Sequence, residues 1–226
     1  MPRRSAAADG SLAPPLDAKS LPSRQRGKDT FEVILTTAGN LLAEVGFERL
    51  TTNLVCERAG LTPPALYRYF PNKYALLAEL ARRLMDAQDE AFIAWMEEGR
   101  LLAPTLEERV QRTIGLRKEL IVLTRSQPGG MWILRAIRAL PVLKEVRTAS
   151  RDKVLDRHFA VMRTIFPMIE EDRLWTAVRL SEETTYAMIE MILEDPGLDE
   201  DRVIEEASWM TTLYFHQLAQ RSSPEG

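Results

Sequence analysis

The sequence of 226 residues has one cysteine, Cys56, and only two histidines. One thiol cannot close a disulfide within the chain, and so few nitrogen and sulfur donors make no set for a zinc site. No metal is expected. No run of about 18 apolar residues occurs, so no transmembrane helix and no membrane partner are expected. Arg3 and Arg4 are not followed by an apolar stretch, so no secretory signal is expected either. A Gly-rich phosphate loop, a G-x-S-x-G elbow and a cluster of metal ligands are all missing. The expectation is a cytoplasmic protein that is not an enzyme and uses no cofactor.

What is present is apolar residues in plenty, 45% of the chain. That suffices for one large domain or two small ones with a real core. The net charge of −3 argues against a general nucleic-acid binder, but the charge is unevenly spread. Residues 1–28 carry +4, residues 29–80 carry −2 and the remainder −5. Residues 1–27 are rich in Ala, Ser, Pro and Arg without apolar periodicity, and read as a disordered basic arm. Arg24, Arg26 and Lys28 in and beside it have the chemistry to touch DNA phosphates or an adjacent minor groove.

Beyond the arm the pattern is all-α. Phe31, Ile34, Leu35, Ala38, Leu41, Leu42 and Val45 recur at helical spacing, predicting a first helix over about 29–45 with Gly46 at its left-handed end. Thr51 and Thr52 can cap a second helix, about 52–58, ending before Gly60. A third begins at Thr62, with Pro63 and Pro64 in the first turn, where a missing N–H does no harm. Leu66 and Phe70 are four apart and face the core, leaving Tyr67 and Arg68 outward. Lys73 opens a long fourth helix reaching about Glu98. Thr105-Leu106-Glu107-Glu108 is a capping box for a fifth. Further helices are expected over about 130–139, 141–166, 171–194 and 199–221. No period-two alternation is sustained, so no sheet is expected.

The stretch Thr51–Lys73 thus reads as a helix-turn-helix whose second member suits the DNA major groove. The run Phe31–Leu77 resembles the DNA-binding domain of the tetracycline-repressor (TetR/AcrR) family. Ile34, Ala38, Gly46, Phe47, Thr51, Thr52, Ala59, Gly60, Leu61, Leu66, Tyr67, Tyr69, Phe70, Asn72, Lys73 and Leu76-Leu77 carry the likeness. Two features depart from it. Val55-Cys56 stands where the family has Ile-Ala or Val-Ala, and cysteine suits that slot as a small hydrophobe. Pro64 and Ala65 replace small polar residues, removing hydrogen-bonding side chains nearest the bases.

The resemblance implies an N-terminal three-helix helix-turn-helix domain, residues 28–75. A helical effector-binding and dimerisation domain follows over 76–221, with a tail over 222–226. It implies a homodimer whose two recognition helices enter successive major grooves of a palindromic double-stranded operator, about 34–36 Å apart. It also implies a small-molecule effector of unknown identity that releases the DNA. By residue match, Thr52, Tyr67 and Lys73 are the phosphate contacts, and hydroxyl, phenol and ammonium groups suit that role. Asn53, Pro63, Pro64, Ala65, Arg68 and Tyr69 are the candidates for contact at or near the bases. Arg68 can pair guanine O6 and N7, while Pro64 and Ala65 can meet a thymine methyl.

For the effector, aromatic and methionine surface points to an apolar pocket: Trp95, Trp132, Phe159, Met162, Trp175 and Tyr186, with Arg117, His158 and Glu182 as polar members. Apolar stripes of Leu180, Thr184, Ala187, Met191, Ala207, Met210, Leu213, Tyr214 and Leu218 can pair with their symmetry mates as a four-helix bundle. The expected function is a sequence-specific transcriptional repressor released by a largely apolar ligand. The competing expectation is an architectural or cell-cycle DNA-binding protein with no effector.

Overall fold

The computed structural model describes residues 14–222, so Arg3, Arg4 and the tail from 223 lie outside the described residues. Nine α-helices and one 3₁₀ turn make up this part, with no strand among the described residues.

The first three helices wrap one core. Helix α1, Gln25–Arg49, buries Phe31, Ile34, Leu35, Ala38, Leu41 and Leu42 along one face. It starts earlier than its apolar pattern, with the Gly27 and Lys28 N–H groups closing on the Arg24 carbonyl, and Phe31 in the next turn lies against both Tyr69 and Phe70. Gly46 sits at φ 72° inside its last turns, so the final three residues are a separate piece. Helix α2, Thr52–Ala59, is capped by the Thr51 hydroxyl, which accepts from the Leu54 N–H. Gly60 then turns the chain at φ 64°, ψ 32°, and Leu61 N–H closes back on the Cys56 carbonyl. A Cβ is disfavoured in that left-handed region, which is why glycine ends α2.

Helix α3, Pro63–Tyr67, opens with the Thr62 carbonyl, not its hydroxyl, accepting from the Ala65 N–H. Leu66 and Phe70 reach the core from this segment and are fully buried. The Asn72 side chain caps α4, Lys73–Glu97, by accepting from the Ala75 N–H. That helix leaves the first core and runs on as the spine of the second half.

Around it stand α5 (Leu106–Ser126), α6 (Gly130–Ala139), α7 (Lys144–Ile165), α8 (Glu171–Glu194) and α9 (Glu200–Ser222). Helix α4 packs on α5, α6 and α7, and α5 packs on α9. Pro141–Leu143 forms the 3₁₀ turn before α7 rather than belonging to it, with Leu143 N–H bonded three residues back to Leu140. A separate apolar cluster of Leu155, Met162, Phe166, Leu174, Phe215 and Leu218 closes the far end.

The two halves meet where α1 crosses the Pro128-Gly129 turn. A Cβ on Gly39 would lie 2.3 Å from the Pro128 carbonyl oxygen, so only a bare backbone permits this approach.

The sequence reading of 1–27 as a disordered arm is replaced for the described part. Residues from Pro14 run extended over α3 and α4 before α1 begins. Lys19 N–H donates to the Tyr69 carbonyl at 2.7 Å, and Asn72 donates to the Pro15 carbonyl. Arg82 holds the Leu16 carbonyl and the Asp17 carboxylate. Leu16 and Ala18 pack on the core, which offsets the ordering cost that polar composition alone leaves uncovered.

Candidate nucleic-acid interface and internal cavity

Burying Leu66 and Phe70 fixes what α3 shows to solvent. Pro63, Pro64, Tyr67 and Arg68 are exposed on its outer side, with Asn53 exposed on α2 beside them. Ala65 and Thr52 are half-buried. The Thr52 and Tyr67 hydroxyls are bonded to each other at 2.9 Å, joining the two helices at the surface. The Arg68 guanidinium lies 5.7 Å from the Tyr69 ring centre and forms no ion pair among the described residues. An unpaired, weakly hydrated fork on a convex face suits bidentate contact with a base edge or a phosphate.

Two candidate contacts are engaged inside the subunit, Tyr69 wholly and Lys73 in part. Tyr69 is only 5% exposed, edge-on to Phe31 with ring centres 5.5 Å apart, so its ring serves the core and not a base. It stands beside Phe70 at the end of α3, where the chain turns inward. Lys73 is half-buried: its ammonium donates to the Phe47 carbonyl and sits 4.3 Å above the Phe47 ring. It ties α4 to the end of α1. Cys56 is buried beneath, and burial raises its thiol pKa, so it behaves as an inert apolar side chain.

The second half is not filled. Helices α4, α5, α7, α8 and α9 enclose a cavity with about 110 Å³ open to water centres. An engineered apolar cavity of about 150 Å³ takes benzene, so this space as it stands takes a compact group of a few heavy atoms, and a longer ligand must part its walls or extend through its mouth. Apolar walls come from Phe92, Trp95, Leu116, Leu120, Met162, Phe166 and Phe215. Of the residues expected to line a pocket, Trp95, Arg117, His158, Met162, Glu182 and Tyr186 do so. Trp132, Phe159 and Trp175 do not: Trp132 lies under Arg135, and Phe159 and Trp175 meet edge-on outside it.

The polar lining is richer than the sequence reading anticipated. Gln88, Asp89, Arg109, Thr113, Ser181, Thr185 and Thr211 also line the cavity. Their signal was present on α5 as Arg109, Thr113 and Arg117, four apart on a face that otherwise turns inward. Asp89 accepts from the Ser150 hydroxyl at 2.9 Å, and burial raises its pKa to about 6. His158 and Glu182 meet at 3.2 Å; burial raises the Glu182 pKa and its histidine partner partly offsets this. Burial also raises the Tyr186 phenol.

Among the proposed dimer residues, Leu180, Ala187, Met191, Met210, Leu213 and Tyr214 are exposed on α8 and α9, and Thr184 is half-buried. Ala207 and Leu218 are instead buried inside the subunit, Ala207 in the main core and Leu218 against the far-end cluster.

Residues 34–80 match the family described as bacterial regulatory proteins, tetR family. The chain is 48% identical over 54 residues to the class C tetracycline repressor protein of Escherichia coli, covering 24% of this chain and 25% of that one. It therefore spans about a quarter of the length of the tetracycline repressors it matches. Against the HTH-type transcriptional regulator EthR of Mycobacterium tuberculosis it is 28% identical over 208 residues, covering 85% of this chain and 90% of EthR. The solved SmeT–triclosan complex superposes with a TM-score of 0.63 at 23% identity, over 82% of this chain and 91% of that one. The apolar and turn positions behind α2 and α3 and these likenesses agree: residues 34–80 are a domain of the tetR family of bacterial regulatory proteins, and over most of its length the chain is similar to EthR in sequence and to SmeT in fold.

Proposed function

We propose that the protein is a homodimeric transcriptional repressor that binds a palindromic operator and leaves it when a small, largely apolar ligand fills the cavity. One observation carries the reading: α4 is a single helix whose first residue, Lys73, is tied to the DNA-facing domain, while Gln88, Asp89, Phe92 and Trp95 line the cavity. A ligand that binds the two positions of α4 unequally shifts the spacing of the recognition helices, and only such unequal binding can do so. The exposed apolar face of Leu180, Met191, Met210, Leu213 and Tyr214 supports pairing through α8 and α9. SmeT, which shares this fold and was solved in complex with triclosan, supports a small-molecule ligand. Among the described residues no helix is long and apolar enough to cross a membrane, which accords with work in the cytoplasm.

On the DNA side, the register would be set by Thr52, Tyr67 and Lys73 and the sequence read through Arg68, with Pro63, Pro64, Ala65 and Asn53 close by. Selection of bound sequences from a random DNA pool, with purified protein at a stated salt concentration, tests this. A palindromic consensus is the expected result. Recovery of unrelated sequences would replace it with an architectural DNA-binding protein.

A further inference from the structure

We infer that the ligand of this cavity is an organic acid, its carboxylate held by Arg117 and its apolar body lying among Phe92, Trp95, Phe166 and Phe215. The inference rests on reading the cavity as the effector site, and adds the chemical class.

Arg117 lies in the middle of α5, 2% exposed, on the cavity wall. Its guanidinium donates to three hydroxyls: Ser208 at 3.0 Å, Thr211 at 3.1 Å and Thr185 at 3.4 Å. Each of those hydroxyls spends its own proton on a backbone carbonyl one turn back, at Ile204, Ala207 and Ser181. Their lone pairs are thereby turned toward the guanidinium. The hydroxyls hold Arg117 in one orientation but bring no negative charge, and three bonds leave two of its five N–H groups for a further acceptor.

The two acids on the cavity wall face other groups, although the second oxygen of Asp89, Oδ2, has no partner. Glu182 faces His158 and Asp89 faces Ser150, and no carboxylate pairs with Arg117 among the described residues. Burial lowers the Arg117 pKa to about 10, so it stays charged at neutral pH. A buried charge without a counter-ion is unfavourable, and proteins ordinarily pair such charges. Two helical turns back on the same face of α5, the Arg109 Nε is also buried without a partner. The cavity therefore holds two arginines to which no carboxylate is directly bonded among the described residues, although Asp89 and Glu182 share its wall. Its walls are flat and apolar: Phe92 stacks near Trp95, and Phe166 lies parallel to Phe215 with centres 6.1 Å apart. An aryl-alkanoic acid matches the charge of Arg117 and the aromatic walls, with its ring among them and its chain reaching the guanidinium.

The test uses the full-length protein and two near-isosteric compounds, phenylbutanoate and phenylbutanamide, compared by titration calorimetry at neutral pH. The acid should bind at least about tenfold tighter than the amide, since a charge-assisted pair is replaced by a neutral one. Arg117→Met, checked first for an intact melting transition, should abolish that preference. The comparison in the unmodified protein stands whether or not this variant folds. Equal binding of acid and amide would overturn the acid assignment while leaving the cavity as a ligand site. Binding of triclosan with neither phenylbutanoate nor phenylbutanamide bound would do the same. A preference retained in Arg117→Met would place the carboxylate elsewhere and overturn the role of Arg117. No binding of any of the three would overturn the acid and count against the effector reading as well.

Discussion

The DNA-facing end of the molecule is packed solid, whereas the other end is built around a hole. Behind α3, Ile34, Leu66, Phe70 and Leu77 are all fully buried, and no charged side chain is buried with them among the described residues. Around the cavity, charged and polar side chains are buried with hydrogen bonds left unmade: Gln88 Oε1, Asp89 Oδ2 and Arg109 Nε have no partner. A solid domain can present one fixed face to a rigid duplex. A cavity wall with unsatisfied donors and acceptors gains free energy only when something fills it, which makes that half responsive. Stability is concentrated at one end and adjustability at the other, with α4 common to both.

The comparison breaks most readily under truncation. Leu66→Ala should destabilise by about 3–5 kcal/mol, because a dry core cannot collapse into the space, whereas Leu120→Ala on the cavity wall should fall near 2 kcal/mol. Urea unfolding measures both; equal losses would mean that the cavity wall is as tightly packed as the core. Next in size is Gly39→Ala. Its Cβ would meet the Pro128 carbonyl, so α1 must move from the Pro128-Gly129 turn at about 1–3 kcal/mol. A melting temperature unchanged within error would show that this contact yields freely and does not join the two halves.

The same contrast explains what could be read from the chain alone. The helix-turn-helix is written in local rules: the Thr51 cap, the left-handed Gly60, prolines at the start of α3, and Leu66 and Phe70 four apart. Each acts within a few residues of itself, so spacing suffices. The cavity joins Gln88, Arg117, His158, Glu182 and Thr211 from five helices. Periodicity gives each helix an inner face but does not say which polar residues on those faces will meet. Trp132, Phe159 and Trp175 look like pocket residues in the sequence because aromatic bulk is the same signal in a core, a wall or a surface pair. Tyr69 and the segment from Pro14 to Arg24 are hidden from local pattern for a related reason: their partners, Phe31 for one and Asn72 and Arg82 for the other, are distant in sequence.

Two arginines sharpen the comparison, since neither has a carboxylate partner among the described residues. Arg68 is exposed and Arg117 enclosed. Arg68→Ala should leave the melting temperature alone and relax the preference at one base pair in each half-site, by about 1–3 kcal/mol of discrimination. A uniform loss across all sequences, read from binding curves on matched and mutated operators, would make Arg68 a phosphate contact instead.

The smallest effect is the most specific to the hollow end. Asp89 is 1% exposed, and burial outweighs its bond from Ser150 in setting a pKa of about 6. The unfolded chain has the ordinary value of about 4. Between those two values the folded protein binds the proton more tightly than the unfolded one, so stability falls as pH rises through this window. The contribution is fully present below about pH 4 and lost above about pH 6. Asp89→Asn keeps the shape and removes the titration. It should flatten that part of the stability curve and leave the protein at least as stable near neutral pH, where the wild type carries a buried carboxylate. Unfolding followed at several pH values across the window decides it. A slope that survives the substitution would have to come from another group, with Glu182 the next to replace, since burial raises its pKa in the same direction.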